Sequence, residues 1–262
     1  MKIACIGTGS MGKAIISAVA KKFNPSEITV SNRTPEKAKK FAEEIKCNFA
    51  ENNVSAIKDA KYIFIAVEPI FLSDVFSQIK DKISHDAVVI SMAAGVTIQK
   101  LETFANARFV RIMPNVPCQI AQGMTALCAN QNILPQEIEE IKQILETTGK
   151  VEQVPENLMD CVTAVSGSGP AFVFMFIEAF ADAAVKFGLP RNQAYIYAAQ
   201  TVKGSADLVL QTQKHPGVLK DSVTSPGGTT IEGVASLEET GFRASVIQAV
   251  TKAYQKSVSM GK

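Results

Sequence analysis

The sequence predicts an α/β protein, in which an N-terminal domain with a mostly parallel, doubly wound sheet precedes an all-α domain. Three observations lead to this prediction. Apolar, strand-like runs alternate with helical patterns through the first 155 residues, which is typical of a parallel sheet covered on both faces. Beyond Pro155 only helical patterns remain. The first apolar run ends in a glycine motif that opens a helix, an arrangement that favours nucleotide binding.

The glycine motif, Gly7-x-Gly9-x-x-Gly12, lies between a strand predicted at residues 2–6 and a helix that continues through Ala20. In the Rossmann fold the first glycine allows a tight turn, the second lets a diphosphate approach the backbone, and the third lets helix and strand pack closely. The free N–H groups of the helix's first turn then face the phosphates. We therefore predict that the whole turn binds a dinucleotide: Ile6, Gly7, Thr8, Gly9, Ser10, Met11 and Gly12.

The alternation continues in order along the chain. Thr34 and Pro35 favour a helix start, as an N-cap and a first helical residue, and residues 62–67 form the most apolar strand pattern. The predicted strands are 27–31, 48–50, 62–67, 87–91 and 108–112, with helices at 35–46, 52–58, about 70–83 and 98–104. Two strands at the sheet edge, 123–128 and 150–154, flank a helix at 135–148.

The loops that follow the parallel strands are rich in Gly, Ala, Pro and Asn. Because the carboxyl ends of parallel strands meet at one edge of the sheet, where ligands bind, we expect these loops to converge on the cofactor. The further cofactor-binding residues that this predicts are Asn32, Arg33, Asn53, Ala66, Val67, Pro69, Ala93, Ala94, Gly95 and Asn115.

The end of the second strand indicates which dinucleotide binds. NAD-binding folds place a carboxylate there for the ribose 2′-hydroxyl, whereas this chain has Asn32 and Arg33, and Glu27 lies at the opposite end of the strand. A guanidinium can hold a 2′-phosphate. We predict NADP, with NADPH preferred and NADH possible; the alternative is that Arg33 is an ordinary solvated loop residue.

The C-terminal half reads as helices at 156–165, 171–187, 190–213, near 218–220, 231–239 and 242–260, with a joint of small residues at 166–170. The domains are predicted at 1–155 (NADP-binding) and 156–262 (helical, for dimerisation and substrate binding). The helix after Pro170 is apolar on nearly all sides. A small helical domain cannot bury such a helix alone, so we expect a second chain to cover it; the alternative is a central core helix.

Composition narrows the functional classes. The 262 residues are 47% hydrophobic with a net charge of +2 and no basic tract, so neither nucleic acid nor membrane is an expected partner. Glycines interrupt the first apolar run, unlike a secretory signal, and Glu178 and Asp182 interrupt the apolar run at 171–177. We expect a cytoplasmic protein. Its five cysteines and two histidines lack metal-ligand spacing, so free thiols and no metal are expected.

Several longer motifs carry a resemblance to a known family. They are Asn32-Arg33-Thr34, Ala66-Val67-Glu68-Pro69, Ala93-Ala94-Gly95-Val96, Arg111-Ile-Met-Pro-Asn115, Ser166-Gly-Ser-Gly-Pro-Ala171 and, most specific, the loop at 215–230 that ends in Ser225-Pro-Gly-Gly-Thr-Thr230. With these, the whole chain resembles the pyrroline-5-carboxylate reductases. The resemblance implies reduction of the cyclic imine 1-pyrroline-5-carboxylate to L-proline, the last step of proline biosynthesis. It also implies a homodimer with swapped helical domains, possibly a decamer, and active sites shared between chains.

The resemblance also assigns residues. It implies that Ser225, Gly228, Thr229 and Thr230 bind the substrate carboxylate, which suits a loop of N–H and O–H donors at a helix N-terminus. It places Thr163 near the imine nitrogen as a proton relay, and we identify no stronger general acid. One departure is Glu68, where most members have a lysine; a carboxylate there weakens attraction for cofactor phosphates.

Two alternatives have the same domain plan. One is a related reductase, either deazaflavin-linked and NADP-dependent or specific for another cyclic imine; the other is a non-catalytic NADP-binding regulator. The intact loop at 225–230 counts against the related reductase. The regulator is disfavoured because the substrate loop and the cofactor site are both intact. The choice between dimer and decamer, and between a five-membered and a six-membered imine, stays open.

Overall fold

The sheet has eight strands and matches the predicted fold class. The structure, a computed structural model, describes residues 1–260. Its strands are β1 (Ile3–Ile6), β2 (Ile28–Ser31), β3 (Asn48–Phe49), β4 (Tyr62–Ile65), β5 (Val88–Ser91), β6 (Arg108–Met113), β7 (Gly123–Ala129) and β8 (Gly149–Gln153). They lie in the order β3-β2-β1-β4-β5-β6-β7-β8, and the order reverses direction at β1, where a doubly wound sheet opens a crevice for ligand.

Helices connect the strands and form most of the described residues after β8. Those of the sheet region are α1 (Ser10–Lys22), α2 (Pro35–Ile45), α3 (Asn53–Ala56), α4 (Leu72–Ile79), α5 (Ile98–Glu102) and α6 (Pro135–Leu145). Those that follow are α7 (Met159–Val162), α8 (Gly169–Lys186), α9 (Arg191–Thr212), α10 (Pro216–Ser222), α11 (Thr229–Glu239) and α12 (Phe242–Met260).

The central strands are buried on both faces, which explains their continuous apolar sequences. All four residues of β1, β4 and β5 are buried. One face of the sheet packs against Phe76 of α4 and Leu101 of α5. The other packs against Ile15 of α1, Phe41 of α2 and Ile144 of α6.

The last two strands differ in one respect from the sequence prediction. Both were expected at the sheet edge, but β7 lies inside it, between β6 and β8, and only β8 is at the edge. β7 runs antiparallel to β6 because only a short stretch, with a 3₁₀ turn at Val116–Ile120, joins them, whereas a parallel connection needs a longer crossover. β8 is parallel to β7, with α6 as the crossover.

The predicted joint at residues 166–170 is not a break in the helix. A single helical run extends over Glu156–Lys186, and Thr163–Gly167 forms a π-helical turn inside it. The N–H of Ser168 donates to the carbonyl of Thr163 at 2.9 Å, five residues back. The small residues therefore widen the helix by one residue instead of interrupting it.

The described residues divide into two compact units. Unit 1 comprises Met1–Ser168 and the chain from Ala253 on, and unit 2 comprises Gly169–Lys252. The sequence places the boundary earlier, after residue 155. Residues 156–168 belong with the sheet because Glu156 pairs with Arg111 of β6 at 3.3 Å and Ser166 accepts a hydrogen bond from Asn115.

Unit 2 is helical and has a small core of its own. Helices α8 and α9 pack against each other through small residues: Ala181 of α8 forms a buried cluster with Ala194 and Ala198 of α9. Large apolar side chains of α8 are nevertheless exposed, including Phe174 and Met175, of which 58% and 68% of the surface is accessible. By length and composition alone, one run within residues 1–260, Glu156–Lys186, could cross a membrane.

Candidate active site

The glycine turn after β1 has the geometry that a diphosphate requires. Gly7 has φ +100°, and a Cβ there would lie 2.3 Å from the carbonyl oxygen of Ala66, so only glycine fits. A Cβ on Gly12 would lie 2.3 Å from the carbonyl oxygen of Gly7, which shows how closely α1 approaches the turn. Gly9 differs, because no atom lies within 4 Å of the position of its Cβ.

The N-terminus of α1 has donors available for an anion. Gly9 is the N-cap and makes no side-chain cap hydrogen bond, so the first N–H groups of α1 face the open side of the turn. The open side and these donors fit a diphosphate group. Beneath the turn, Cys5 contacts the carbonyl of Gly7 at 3.4 Å; burial and nearby Cys47 raise the pKa of its thiol to about 12, so Cys5 stays neutral and serves packing.

A cavity of about 650 Å³ lies at the carboxyl ends of β1, β2, β4 and β5. It brings together most of the cofactor-binding residues that the sequence predicts. Those that line it are Ile6, Gly7, Gly9, Ser10, Met11, Asn32, Arg33, Asn53, Ala66, Val67, Pro69, Ala93 and Ala94. The predicted residues outside this lining, within residues 1–260, are Thr8, Gly12, Gly95 and Asn115.

Hydrogen bonds fix the cavity wall at the end of β2. The side-chain amide of Asn32 donates to Thr8 Oγ1 at 2.7 Å, and its Oδ1 accepts the N–H of Thr34 at 3.0 Å. Thr8 is 5% exposed, so it acts through Asn32 and not at the cavity surface. Asn53 accepts from Ser31 Oγ at 2.8 Å and donates to Gln78 Oε1 at 3.0 Å. This end of the cavity is therefore preorganised.

Charges of both signs line the cavity. The guanidinium of Arg33 lies over the ring of Phe71, 4.5 Å from its centre, a cation–π contact that holds an otherwise exposed side chain in place. Three carboxylates line the same cavity, from Glu51, Glu68 and Asp74. Phe71, Gln78, Glu51 and Asp74 also line the cavity and were not predicted from the sequence, because a cavity formed by segments far apart in the chain leaves no local sequence signal.

Two predicted cofactor residues have other structural roles. Gly95 has φ +72° and is buried, so it allows the turn after β5. Asn115 is 8% exposed and uses both ends of its amide within the protein. Its Oδ1 accepts the N–H of Met124 at 2.9 Å, and its Nδ2 donates to the carbonyl of Ser166 at 3.0 Å.

Thr163, the predicted proton relay, is the first residue of the π-helical turn. Its hydroxyl donates to the carbonyl of Met159 at 2.7 Å, so the Oγ1 lone pairs remain able to accept a hydrogen bond. The side chain is half-buried. The hydroxyl thus has a fixed direction before any ligand arrives.

The predicted carboxylate-binding loop lies in unit 2, at the start of α11. The N–H of Gly228 donates to the carbonyl of Ser225 at 3.0 Å, closing a turn, in which Gly227 has φ +66°. A Cβ on Gly228 would lie 2.5 Å from Ser225 Oγ. Gly228 is the N-cap and makes no side-chain cap bond, and Thr229 and Thr230 are exposed. The first N–H groups of α11 can therefore bind an anion.

Comparison with known proteins decides the family. The chain is 44% identical to the pyrroline-5-carboxylate reductase of Escherichia coli, over all of this chain and 98% of that one. The family model for pyrroline-5-carboxylate reductase dimerisation matches residues 156–260. This chain belongs to the pyrroline-5-carboxylate reductase family. The resemblance inferred from the motifs is thereby confirmed, and the chain is an NAD(P)H-dependent oxidoreductase.

Solved structures of the family have the same fold over the whole chain. The pyrroline carboxylate reductase of Plasmodium falciparum, with NADP bound, superposes with a TM-score of 0.89 at 32% identity, covering 100% of this chain and 98% of that one. The reductase of Coxiella burnetii gives 0.92 at 33%, with the same coverage. A second family model, for coenzyme F420-dependent NADP oxidoreductases, matches residues 2–95. NADP is the cofactor that these comparisons support.

Proposed function

We propose that this chain reduces 1-pyrroline-5-carboxylate to L-proline and prefers NADPH to NADH. The observation that carries the proposal is the uncapped N-terminus of α11 behind Ser225 and Gly228, which offers a carboxylate site in a chain that also has an intact dinucleotide turn. The substrate has a carboxylate that fits the N-terminus of α11 and an imine that a bound NADPH would reduce. Membership of the reductase family supports this choice of substrate.

The nucleotide site has three kinds of donors. The N–H groups at the start of α1 bind the diphosphate, while Arg33 and Asn32 bind the 2′-phosphate. Phe71 holds the Arg33 guanidinium over its ring, so little side-chain freedom is lost on binding. Glu51, Glu68 and Asp74 line the same cavity and oppose this attraction. The preference for NADPH is therefore expected to be moderate.

The substrate is oriented by its carboxylate and activated by protonation. The N–H groups of the first turn of α11 and the hydroxyls of Thr229 and Thr230 hold the carboxylate. NADPH, when bound, supplies the hydride for the imine carbon. The imine nitrogen gains a proton from water or through the Thr163 hydroxyl, which first exchanges its hydrogen bond to the Met159 carbonyl for one to the imine nitrogen and is then reprotonated by water. A cyclic imine is basic enough that no stronger acid is needed.

We further propose that the chain functions as a cytoplasmic homodimer, possibly assembled into a decamer, and that neither membrane nor nucleic acid is a partner. The exposed apolar side chains of α8, such as Phe174 and Met175, support dimerisation because a second copy would cover them. Covering these side chains also accounts for the hydropathy of the run Glu156–Lys186 without a membrane.

A deazaflavin-linked NADP oxidoreductase is the second candidate, because a family model of that description matches residues 2–95. That match ends before the helical unit, so it concerns the nucleotide-binding part alone. The carboxylate loop at Ser225–Thr230 has no role in that reaction and favours the imine reductase.

The test is oxidation of NADPH and of NADH at 340 nm by the purified chain with racemic 1-pyrroline-5-carboxylate. The six-membered homologue and a reduced deazaflavin are assayed as alternatives. Turnover of the five-membered imine with a higher kcat/KM for NADPH supports the proposal. A higher kcat/KM for NADH would keep the reaction and overturn the cofactor preference. Turnover with the deazaflavin alone would replace the function.

A further inference from the structure

Asn115, which the sequence assigns to the cofactor, connects three elements of unit 1. It follows β6. Its Oδ1 accepts the N–H of Met124, the second residue of β7, at 2.9 Å, and its Nδ2 donates to the Ser166 carbonyl in the π-helical turn at 3.0 Å. The residue is 8% exposed. An amide buried in this way and bonded at both ends joins the sheet to the turn.

The partner of Asn115 is a carbonyl that a regular helix would leave without a donor. In an α-helix the carbonyl of Ser166 would accept the N–H of residue 170, but that residue is Pro170 and has no N–H. A proline in the interior of a helix also crowds the carbonyl four residues before it. Asn115 supplies the hydrogen bond that Pro170 cannot, at the place where the helix widens.

The same turn carries Thr163. The Thr163 carbonyl accepts the N–H of Ser168 at 2.9 Å, and Ser166 Oγ donates to the Val162 carbonyl at 3.0 Å. A Cβ built on Gly167 would lie 3.6 Å from Thr163 Cγ2 and 3.9 Å from Met113 Sδ, so the turn packs against the end of β6. The position of the Thr163 hydroxyl therefore depends on how the turn is held.

We propose that Asn115 is a positioning residue for the reaction and not a cofactor ligand: it holds the π-helical turn through the Ser166 carbonyl and thereby orients Thr163. This inference rests on the proposed function, in which Thr163 passes a proton to the imine. It predicts that loss of the Asn115 donor slows turnover, loosens the turn and leaves the binding of NADPH unchanged.

The experiment uses Asn115→Asp in the full chain. The substitution keeps an acceptor for the Met124 N–H and places an oxygen, not a donor, against the Ser166 carbonyl. We expect kcat to fall at least tenfold, with the KM for the imine and the Kd for NADPH within twofold of wild type. Amide hydrogen exchange over residues 163–168 should become faster while exchange in β7 stays the same.

A second variant protects the test against misfolding. Pro170→Ala supplies a backbone N–H for the Ser166 carbonyl, so Asn115→Asp with Pro170→Ala should exchange more slowly at 163–168 than Asn115→Asp alone. If Asn115→Asp does not fold, the double variant is compared with wild type, and its Kd for NADPH should again be unchanged.

The outcomes separate the possibilities. A tenfold rise in the Kd for NADPH with unchanged exchange at 163–168 would make Asn115 a cofactor ligand and overturn the inference, as would an unchanged kcat. If the wild-type chain does not reduce the imine, the proposed function fails, but the exchange and NADPH-binding measurements still decide whether Asn115 holds the turn, since neither needs turnover.

Discussion

At the scale of the residue, the contact between Arg33 and Phe71 is the feature on which cofactor preference depends. The aromatic ring holds the guanidinium at the end of β2, where a ribose 2′-phosphate would lie. A guanidinium is the side chain best suited to a phosphate because it donates two parallel hydrogen bonds.

Replacement of Arg33 tests this directly. We expect Arg33→Ala to lower kcat/KM for NADPH by about tenfold or more, since a hydrogen bond to a charged group contributes roughly 1.5–3 kcal/mol, and to leave NADH within about twofold. Arg191→Ala is the matched control, because Arg191 pairs with Asp182 in unit 2. Steady-state kinetics with both cofactors measure the effect, and equal losses for NADPH and NADH would rule out a 2′-phosphate role.

A second residue, Glu137, links stability to pH. Its carboxylate accepts hydrogen bonds from Arg108 at 2.9 Å and from the N–H of Leu134 at 2.9 Å. Burial pushes the pKa of this carboxyl upward, but the bonds from Arg108 and Leu134 lower it by more, so the net pKa lies below its ordinary value. Glu137 therefore stabilises the fold above the unfolded pKa of about 4.3.

We expect Glu137→Gln to lower the free energy of unfolding by about 2 kcal/mol at pH 7. Because the stabilisation is lost as pH falls through the depressed folded pKa, the difference from wild type should shrink below about pH 4. Urea unfolding at several pH values measures it. Glu139→Gln on the same helix is the control, since Glu139 is exposed and forms its ion pair with Lys142 of that helix. A pH-independent difference for Glu137 would contradict the explanation.

At the scale of the element, the N-terminus of α11 combines backbone and side-chain donors in one turn. Gly228 leaves the cap open, and the eleven-residue helix behind it adds its dipole to the attraction for an anion. Ser225 is close enough to Gly228 that a side chain at 228 would displace it. Substrate affinity should therefore respond to single changes here.

We expect Thr230→Val to raise the KM for 1-pyrroline-5-carboxylate by about tenfold and to leave the Kd for NADPH unchanged, because it removes one hydroxyl donor worth roughly 1–2 kcal/mol. Ser236→Ala, farther along α11, controls for effects on the helix itself. Initial-rate kinetics and NADPH titration provide the two numbers. An unchanged KM would remove Thr230 from the carboxylate site.

Elements set by local chemistry could be predicted from the sequence, and those set by distant partners could not. The roles of Gly7, Gly9 and Gly12 could be predicted because one local turn determines the backbone conformation and the space available at each of them. The antiparallel direction of β7 depends on how a short connection folds back. The π-helical turn depends on Asn115, whose partner Ser166 lies 51 residues later. No local pattern reports a contact between residues so far apart, so the Ser, Gly and Pro residues at 166–170 predict a joint when the sequence is considered alone.

At the scale of the whole molecule, the exposed apolar face of α8 is the surface on which the proposed dimer depends. Phe174 and Met175 of α8 are more than half exposed. The same helix contributes Ala181 to the small core of unit 2. Burial of apolar surface contributes about 25 cal/mol per Å², so a second copy of the chain that covers this face gains substantial stability.

We expect Met175→Glu to convert the proposed dimer into a monomer, since a charge in the covered face would be buried without a partner. Size-exclusion chromatography with light scattering measures the mass at several concentrations. His85→Glu is the control, because the His85 side chain is fully exposed in unit 1. A dimer that survives Met175→Glu at micromolar concentration would place the interface elsewhere.

The return of the chain from Ala253 to unit 1 has a consequence for synthesis. The sheet is complete once β8 ends at Gln153, yet Asp160 receives its partner, Ser257 at 2.6 Å, only after all of unit 2 has been made. Translation at about 5–20 residues per second puts this delay on the order of ten seconds. During this interval a nascent chain on the ribosome has all the residues of the sheet, while Asp160 still lacks the Ser257 hydroxyl that it binds in the complete protein.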